Sequence, residues 1–158
     1  MKLIIMRHGE AETYGPLDSA RCLTPNGIKQ AQIASTWLRQ YLGKDKSIDL
    51  AMVSPFVRAE QTYVELLKEI SCKQKIVSED IIPSGNYQLT HDYIDSLITP
   101  ADTQNYVLLV SHMPFISYFV EEVTINKCAM LFDTSSIVVI DYDLSESAGL
   151  LECVYHPN

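Results

Sequence analysis

The chain has few basic residues and no long hydrophobic run. Of its 158 residues, 12 are Lys or Arg and 20 are Asp or Glu, which gives a formal net charge of −8 at pH 7. Such a charge disfavours nucleic acids and anionic membranes, so neither is expected as a partner. No apolar run is long enough to span a bilayer, and the first apolar run starts at the N-terminus without a signal-peptide pattern. We therefore predict a cytoplasmic protein.

Cysteine is also scarce, and its positions do not suggest a metal or redox site. Cys22, Cys72, Cys128 and Cys153 are scattered along the chain, and reduced thiols fit a cytoplasmic location. Clustered carboxylates and His or Cys pairs at ligand spacing are missing, so we expect neither a metal nor another cofactor. Repeats, low-complexity segments and linkers are missing too. Residues 1–158 are therefore predicted to form a single domain.

Three apolar runs, at residues 3–6, 49–53 and 106–110, predict buried strands because none of them has helical spacing. Each run leads into a segment that carries arginine or histidine. The carboxyl ends of parallel strands meet at one edge of a sheet, where open α/β sheets bind their ligands. Four side chains are therefore predicted to converge at this edge: Arg7, His8, Arg58 and His112.

Helices are predicted between these strands. Thr24 and Pro25 form an N-cap and a first-turn proline, and Gly43 is a C-cap glycine. Ser54-Pro55 repeats the N-cap and proline pattern, which places Arg58 in the first turn of a second helix. Later patterns predict a strand at residues 76–82, a turn at 83–86, a helix capped by Thr90, a helix at 114–123, and strands at 137–142 and 150–155.

This alternation predicts the α/β class, with a three-layer α/β/α arrangement and a mostly parallel central sheet. The last two strands are expected to form an antiparallel edge. Residues 72–105 already contain a predicted strand, turn and helix, which leaves little chain for a cap or lid. The pocket at the sheet edge is therefore expected to be shallow and open.

The predicted site is suited to phosphoryl chemistry. Two arginines and two histidines repel one another when protonated and lose hydration when neutral, and an anion between them removes this conflict. Guanidinium groups match phosphate oxygens, and a neutral imidazole can be the in-line nucleophile that forms a phosphohistidine intermediate.

His8 is the expected nucleophile, because Gly9 lets the backbone turn and approach a ligand closely. His112 is expected to donate a hydrogen bond to a phosphoryl oxygen. We also expect the charges of the arginines to dominate the surroundings of His8 and to lower its pKa below ~6.5. His91 and His156 lack this placement and are predicted to lie at the surface.

Three motifs together resemble those of the histidine phosphatase superfamily, which includes phosphoglycerate mutases and acid phosphatases. They are Arg7-His8-Gly9, residues 54–62 and Ser111-His112-Met113-Pro114. Residues 18–27 are similar to the loop and helix start of the short, SixA-type phosphohistidine phosphatases. The resemblance covers residues 2–155 and implies a phosphoglycerate mutase-like fold, a phosphorylated His8, and a phosphate pocket made by Arg7, Arg58 and His112.

Two features are left open by the resemblance. Arg21 matches the arginine of the short group's loop, where it contacts the phosphate or the substrate; otherwise it forms a surface ion pair with Asp18. Larger members of the family supply a carboxylic acid that protonates the leaving group. Glu79, Asp80 and Asp18 are the candidates here, and each is otherwise a solvated surface acid.

The expected function is that of a phosphohistidine phosphatase acting on a phosphocarrier or phosphorelay protein. A shallow pocket suits a phosphorylated side chain on another protein. Transfer from a substrate histidine exchanges one P–N bond for another, whereas an ester needs a strong acid for its leaving group. The alternatives are a phosphomonoesterase for a small metabolite and a non-catalytic anion-binding module.

Overall fold

A computed structural model describes residues 1–98 and 106–158 of the chain. The described residues form six strands and four α-helices, with short 3₁₀ helices at Asp18–Ala20 and Glu79–Ile81. In chain order, the strands and α-helices are β1 (Lys2–Arg7), α1 (Pro25–Leu42), β2 (Ile48–Val53), α2 (Val57–Leu67), β3 (Cys72–Val77), α3 (Tyr87–Leu97), β4 (Tyr106–Ser111), α4 (Phe115–Val123), β5 (Ile137–Asp143) and β6 (Ala148–Tyr155).

The six strands form one mixed sheet in the order β3-β2-β4-β1-β5-β6. The first four strands in this order are parallel, and β5 and β6 form an antiparallel edge. Arg7 pairs with Ser111 and Val53 pairs with Val110, so the carboxyl ends of β1, β4 and β2 lie side by side. The predicted α/β class and the antiparallel edge are both confirmed.

The helices cover both faces of the sheet, which confirms the three-layer prediction. Helices α1 and α2 pack with Ile4 and Met6 of β1 on one face, and α3 and α4 pack with Leu3 and Ile5 on the other. All four of these β1 side chains are 0% exposed. Burying a side chain of this size contributes about 1.5–3 kcal/mol, so β1 is firmly fixed at the centre of the sheet.

The start and end of α1 follow the sequence signals. The Thr24 hydroxyl accepts a hydrogen bond from the Gly27 N–H, and Gly43 ends the helix with a φ of 101°. The N-cap predicted at Ser54 is wrong, because α2 begins at Val57 and its N-cap residue makes no side-chain cap bond. The Ser54 hydroxyl contacts His112 instead. Arg58 still lies in the first turn of α2, as predicted.

Two boundaries differ from prediction between α2 and β4. The strand expected at residues 76–82 lies at Cys72–Val77, and Glu79–Ile81 form a 3₁₀ helix. Because β3 is an edge strand with a largely exposed surface, its sequence lacks the apolar run that marks the other strands. The cap of α3 is Asn86, whose side chain accepts from the Leu89 N–H. Thr90 lies inside α3 and donates to the Asn86 carbonyl.

The surface position predicted for His91 is wrong. Its ring is 8% exposed and lies 2.9 Å from the Tyr142 hydroxyl and 3.2 Å from a Glu122 carboxylate oxygen. These bonds join α3 to α4 and β5. His156 is exposed, as predicted. Within the described residues, no helix has the length and apolar character needed to cross a membrane.

Candidate active site

The carboxyl ends of β1, β2 and β4 surround a cavity of about 390 Å³. Four of its lining residues are basic or imidazole side chains, namely Arg7, His8, Arg21 and Arg58. His112 lies beside them, with its ring centroid 5.0 Å from that of His8. The structure therefore brings together every arginine and histidine that the sequence placed at this edge.

Contacts on both ring nitrogens define the state of His8, whose side chain is buried. Nδ1 lies 2.6 Å from the Gly9 carbonyl oxygen, and a carbonyl only accepts, so Nδ1 carries the proton. Nε2 accepts a 3.2 Å hydrogen bond from Arg58 Nε. The lone pair of His8, the predicted nucleophile, is thus on Nε2, on the side of the ring that faces the Arg58 guanidinium.

The pKa of His8 is lowered to about 3, chiefly by burial. The bond to the Gly9 carbonyl acts in the opposite direction, and the charges of Arg58, Arg7 and Arg21 lower the pKa further. The predicted direction of the shift is confirmed, but the prediction that the arginines dominate it is wrong. Removing water from around the ring disfavours the imidazolium more than the neighbouring cations do.

His112 is 1% exposed and is held by Ser54. Its Nε2 lies 2.7 Å from the Ser54 hydroxyl oxygen, whereas its Nδ1 is buried without a hydrogen-bond partner among the described residues. Burial, together with His8 and the nearby arginines, lowers the pKa of His112 to about 2. The ring is therefore neutral at physiological pH.

Arg7, at the end of β1, and Arg58, in the first turn of α2, are bound differently. Arg7 donates from Nη1 to the Phe132 carbonyl at 2.5 Å, and its Nε is buried without a partner among the described residues. Arg58 is 2% exposed and donates from Nη1 to the Asp18 carbonyl oxygen at 2.7 Å. Buried donors without acceptors are rare in proteins, so the unpaired Nε of Arg7 favours an anion at this place.

Asp18 connects two arginines at the mouth of the cavity. Its carboxylate lies 3.2 Å from Arg58 Nη2 and 2.9 Å from Arg21 Nε. The ion pair considered for Arg21 is confirmed; Arg21 also lines the cavity, and its contact with the phosphate or the substrate stays a prediction. Partial burial raises the pKa of Asp18, but the hydrogen bonds and charges of Arg58 and Arg21 outweigh this and lower it. Asp18 is thus ionised at neutral pH and is unsuited to be a general acid.

The other two candidate acids lie away from the cavity. Neither Glu79 nor Asp80 is among the described residues that line it, and of residues 72–98 only Pro83 does so. The sequence predicts that residues 72–105 leave little chain for a lid, and the last part of this segment, residues 99–105, lies outside the described residues. Of the three candidate acids, only Asp18 lines the described cavity, and it is ionised at neutral pH.

Thr62 and Gly27 support the loop after β1, and neither was predicted to have a role of its own. The Thr62 hydroxyl of α2 accepts from the Gly9 N–H at 3.0 Å. A Cβ atom on Gly9 would lie 2.5 Å from the Gly27 carbonyl oxygen, so Gly9 is required by close contact with α1. The motif at residues 54–62 contains Thr62, but only the folded chain shows that it faces Gly9.

An apolar groove of about 390 Å³ adjoins the cavity, and Met113 lines both. Tyr118 and Leu131 lie along this groove, with 52% and 83% of their surfaces exposed. The cationic cavity therefore opens beside an apolar surface on which another protein can pack.

The chain belongs to the histidine phosphatase superfamily. Residues 3–81 match the sequence profile of the histidine phosphatase superfamily, branch 1. Among curated proteins, the chain is similar to the phosphohistidine phosphatase SixA of Escherichia coli (strain K12), with 33% identity over 146 residues, 92% of this chain and 88% of that protein. It is also 33% identical to the SixA homolog of Haemophilus influenzae over 156 residues, 96% of this chain and 94% of that protein.

A solved structure gives the same picture. The structure of the protein histidine phosphatase SixA complexed with tungstate matches with a TM-score of 0.90 and 31% identity, over 99% of this chain and 97% of that chain. The match confirms the phosphoglycerate mutase-like α/β fold expected from the sequence.

Proposed function

We propose that this chain is a phosphohistidine phosphatase that removes the phosphoryl group from a histidine of a partner protein. The observation that carries the proposal is the state of His8, whose unprotonated Nε2 lies among Arg7, Arg21 and Arg58. The similarity to SixA proteins over nearly the whole chain supports the substrate class. The whole chain acts as one catalytic domain.

The reaction has two displacements at phosphorus. His8 Nε2 attacks the phosphoryl group, a P–N bond to His8 forms, and the P–N bond to the substrate imidazole breaks. Water then attacks phosphorus, the bond to His8 breaks, and inorganic phosphate leaves. Nδ1 of His8 keeps its proton throughout, so phosphorylation makes the ring cationic, and the Gly9 carbonyl stabilises that charge through its hydrogen bond.

The remaining site residues bind the phosphoryl oxygens. Arg7 and Arg58 provide guanidinium groups for charge that develops on the equatorial oxygens. Arg21 adds a third cation at the mouth, and His112 contributes a neutral donor. Each of these groups lies at the cavity or directly beside it.

The partner that fits this site is a phosphocarrier or phosphorelay protein in the cytoplasm. An imidazole is a better leaving group than an alkoxide, so this reaction does not require the protonated carboxyl group that an ester substrate needs. The apolar groove beside the cavity offers a surface for the protein that carries the phosphohistidine. The four cysteines are unpaired thiols, which fits a reducing compartment.

Trapping the intermediate tests the proposal. Enzyme quenched during turnover of a histidine-phosphorylated phosphotransfer domain, labelled with ³²P, is expected to carry label that is stable in alkali and lost in acid. His8→Ala should carry none. The exposed His156 supplies the matched control, because His156→Ala should trap label as wild type does. Equal labelling of His8→Ala and wild type would refute the nucleophile assignment.

The same preparation distinguishes the metabolite alternative. Turnover of the phosphorylated domain is compared with turnover of a panel of sugar phosphates under identical conditions. A kcat/KM for any sugar phosphate above that for the protein substrate would favour the phosphomonoesterase. Failure of both substrates to label His8 would favour the non-catalytic anion-binding module.

A further inference from the structure

Ser54 lies directly after β2 and contacts the second histidine of the site. Its side chain is 0% exposed, and its hydroxyl oxygen is 2.7 Å from His112 Nε2. Its backbone N–H donates to the Val110 carbonyl at 3.1 Å, which ties the residue to β4. The hydroxyl is therefore held in a fixed position relative to the imidazole.

We infer that Ser54 is a positioning residue that fixes the tautomer of His112. Its hydroxyl donates to Nε2, which places the single ring proton on Nδ1. Nδ1–H is then available to donate to a phosphoryl oxygen. Ser54 itself does not touch the phosphoryl group; it acts through the imidazole.

Hydrogen-bond accounting supports this direction over the reverse. The Ser54 oxygen already accepts from the Phe56 N–H at 3.3 Å, and among the described residues Nε2 is the acceptor found for its proton. If Nε2–H donated to Ser54 instead, the serine proton and the Nδ1 lone pair would both lack partners. With Ser54 as donor, only Nδ1–H lacks one. Each unsatisfied buried group is costly, so the arrangement with Ser54 as the donor is favoured.

The remaining unpaired group is the one that an anion satisfies. A phosphoryl oxygen accepts hydrogen bonds and does not donate, so a lone pair on Nδ1 would repel it, whereas Nδ1–H binds it. His112 is neutral and therefore has one proton to place. By directing this proton to Nδ1, Ser54 makes His112 a hydrogen-bond donor before the substrate binds. Such preorganisation is what transition-state stabilisation requires.

The inference rests on the phosphatase function proposed above, but its first test needs no catalysis. Two-dimensional ¹H–¹⁵N spectra of the histidine side chains distinguish the Nδ1–H and Nε2–H tautomers. We expect His112 of the free wild-type protein, at neutral pH, to be protonated on Nδ1. Protonation on Nε2 would overturn the inference while leaving the role of His8 untouched.

The second test uses variants and tungstate as the oxyanion probe. Ser54→Ala should move His112 away from the Nδ1–H tautomer and weaken tungstate binding, measured by calorimetry, by roughly 10-fold. It should lower kcat/KM for the phosphorylated phosphotransfer domain by a similar factor. Ser54→Thr keeps the hydroxyl and should retain the tautomer and most of the affinity.

Ser111→Ala is the matched control. Ser111 is also 0% exposed and also ends a strand of the site, but its hydroxyl donates to the Ile81 carbonyl at 2.6 Å and not to an imidazole. Ser111→Ala therefore loses a comparable buried hydrogen bond and stability, while the His112 tautomer and the tungstate affinity should stay at wild-type values. Unchanged tautomer and tungstate affinity in Ser54→Ala, or equal losses of affinity in Ser54→Ala and Ser111→Ala, would contradict the positioning role.

Discussion

The ionisation of His8, the proposed nucleophile, should determine the pH range in which the enzyme works. Its pKa is lowered to about 3, with burial as the largest cause. The neutral form, which is the proposed nucleophile, therefore persists far below neutrality, and activity should fall only when the pH drops through the lowered value. We expect the acid limb of kcat/KM to lie well below ~6.5 once substrate ionisation is separated out.

The variant Arg58→Gln tests the cause of the shift. Removing one cation should raise the pKa of His8, yet burial remains, so the acid limb should move upward and still lie below ~6.5. NMR titration of the His8 ring provides the direct measurement. A His8 pKa at or above ~6.5 in the wild-type protein would show that burial does not govern this group.

Arg58 is the second residue whose substitution gives a clear expectation. Arg58→Ala should lower kcat by ~10²-fold or more, because it removes a preorganised charge from the developing oxyanion. Arg58→Lys should recover only part of this loss, since an ammonium group cannot reproduce the planar fork. Steady-state kinetics on the phosphorylated domain supplies the measurement.

Arg39 provides the control for Arg58. It lies on α1, away from the cavity, in an ion pair with Glu69. Arg39→Ala should leave kcat within about two-fold of wild type, as expected for a surface arginine. Full activity of Arg58→Lys would show that Arg58 is not used as a bidentate ligand.

The residues that bear functional groups could be predicted from the sequence, but their partners could not. An apolar run precedes each of the four side chains, namely Arg7, His8, Arg58 and His112. The carboxyl ends of parallel strands lie at one edge of the sheet, which brings these side chains together. The contact of Ser54 with His112 joins residues from two different strand ends, so it exists only after β2 and β4 pair. Serine is a favoured N-cap residue, so the local sequence alone predicts an N-cap at Ser54. A serine hydroxyl also suits a hydrogen bond to an imidazole, and only the paired strands show that His112 is its partner.

At the scale of elements, the start of α1 and the loop after β1 are in direct contact. A Cβ atom on Gly9 would lie 2.5 Å from the Gly27 carbonyl oxygen, closer than any real Cβ contact. Gly9→Ala should therefore separate the two elements and displace His8. We expect a loss of about 1–3 kcal/mol in the free energy of unfolding, together with a reduced kcat.

Gly15→Ala is the control for Gly9→Ala. A Cβ atom at Gly15 would meet its nearest neighbour, the side chain of Arg21, at 3.5 Å, which is an ordinary contact. Urea unfolding should place Gly15→Ala close to wild type. A Gly9→Ala protein as stable and as active as wild type would mean that the loop relaxes without disturbing His8.

Elements were predicted well where their own residues determine them. The α1 boundaries follow from Thr24 and Gly43, and β1 from its apolar run. The errors at β3 and at the start of α2 have a common physical cause, because each depends on distant contacts. Edge strand β3 is defined by backbone pairing with β2 and not by burial of its side chains. The Ser54 hydroxyl hydrogen-bonds His112 and does not cap α2.

At the scale of the whole molecule, the two buried histidines make stability depend on pH. The pKa values of His8 and His112 in the folded protein are about 3 and about 2, while those of the unfolded chain are near ~6.5. The unfolded chain therefore binds these protons first. The stability that the two neutral histidines contribute is fully present above pH ~6.5, and it is lost as the pH falls toward their pKa values in the folded protein.

Each histidine should contribute a slope of about 1.4 kcal/mol per pH unit below ~6.5. Urea unfolding between pH 6.5 and 5 measures the slope. His112→Asn should flatten it by one histidine's share. An equal slope in wild type and His112→Asn would show that His112 already accepts a proton in the folded state at these pH values.

The position of β1 has a consequence for how the chain reaches its active form. Lys2 is paired with Tyr106 on one side and with Asp141 on the other, so the strand that carries the proposed nucleophile is synthesised long before the two strands that enclose it. Contacts between such distant segments slow folding. On the ribosome, the apolar run must wait without either neighbour, exposed to aggregation and to chaperones. The site at the end of β1 can therefore form only after both β4 and β5 have emerged.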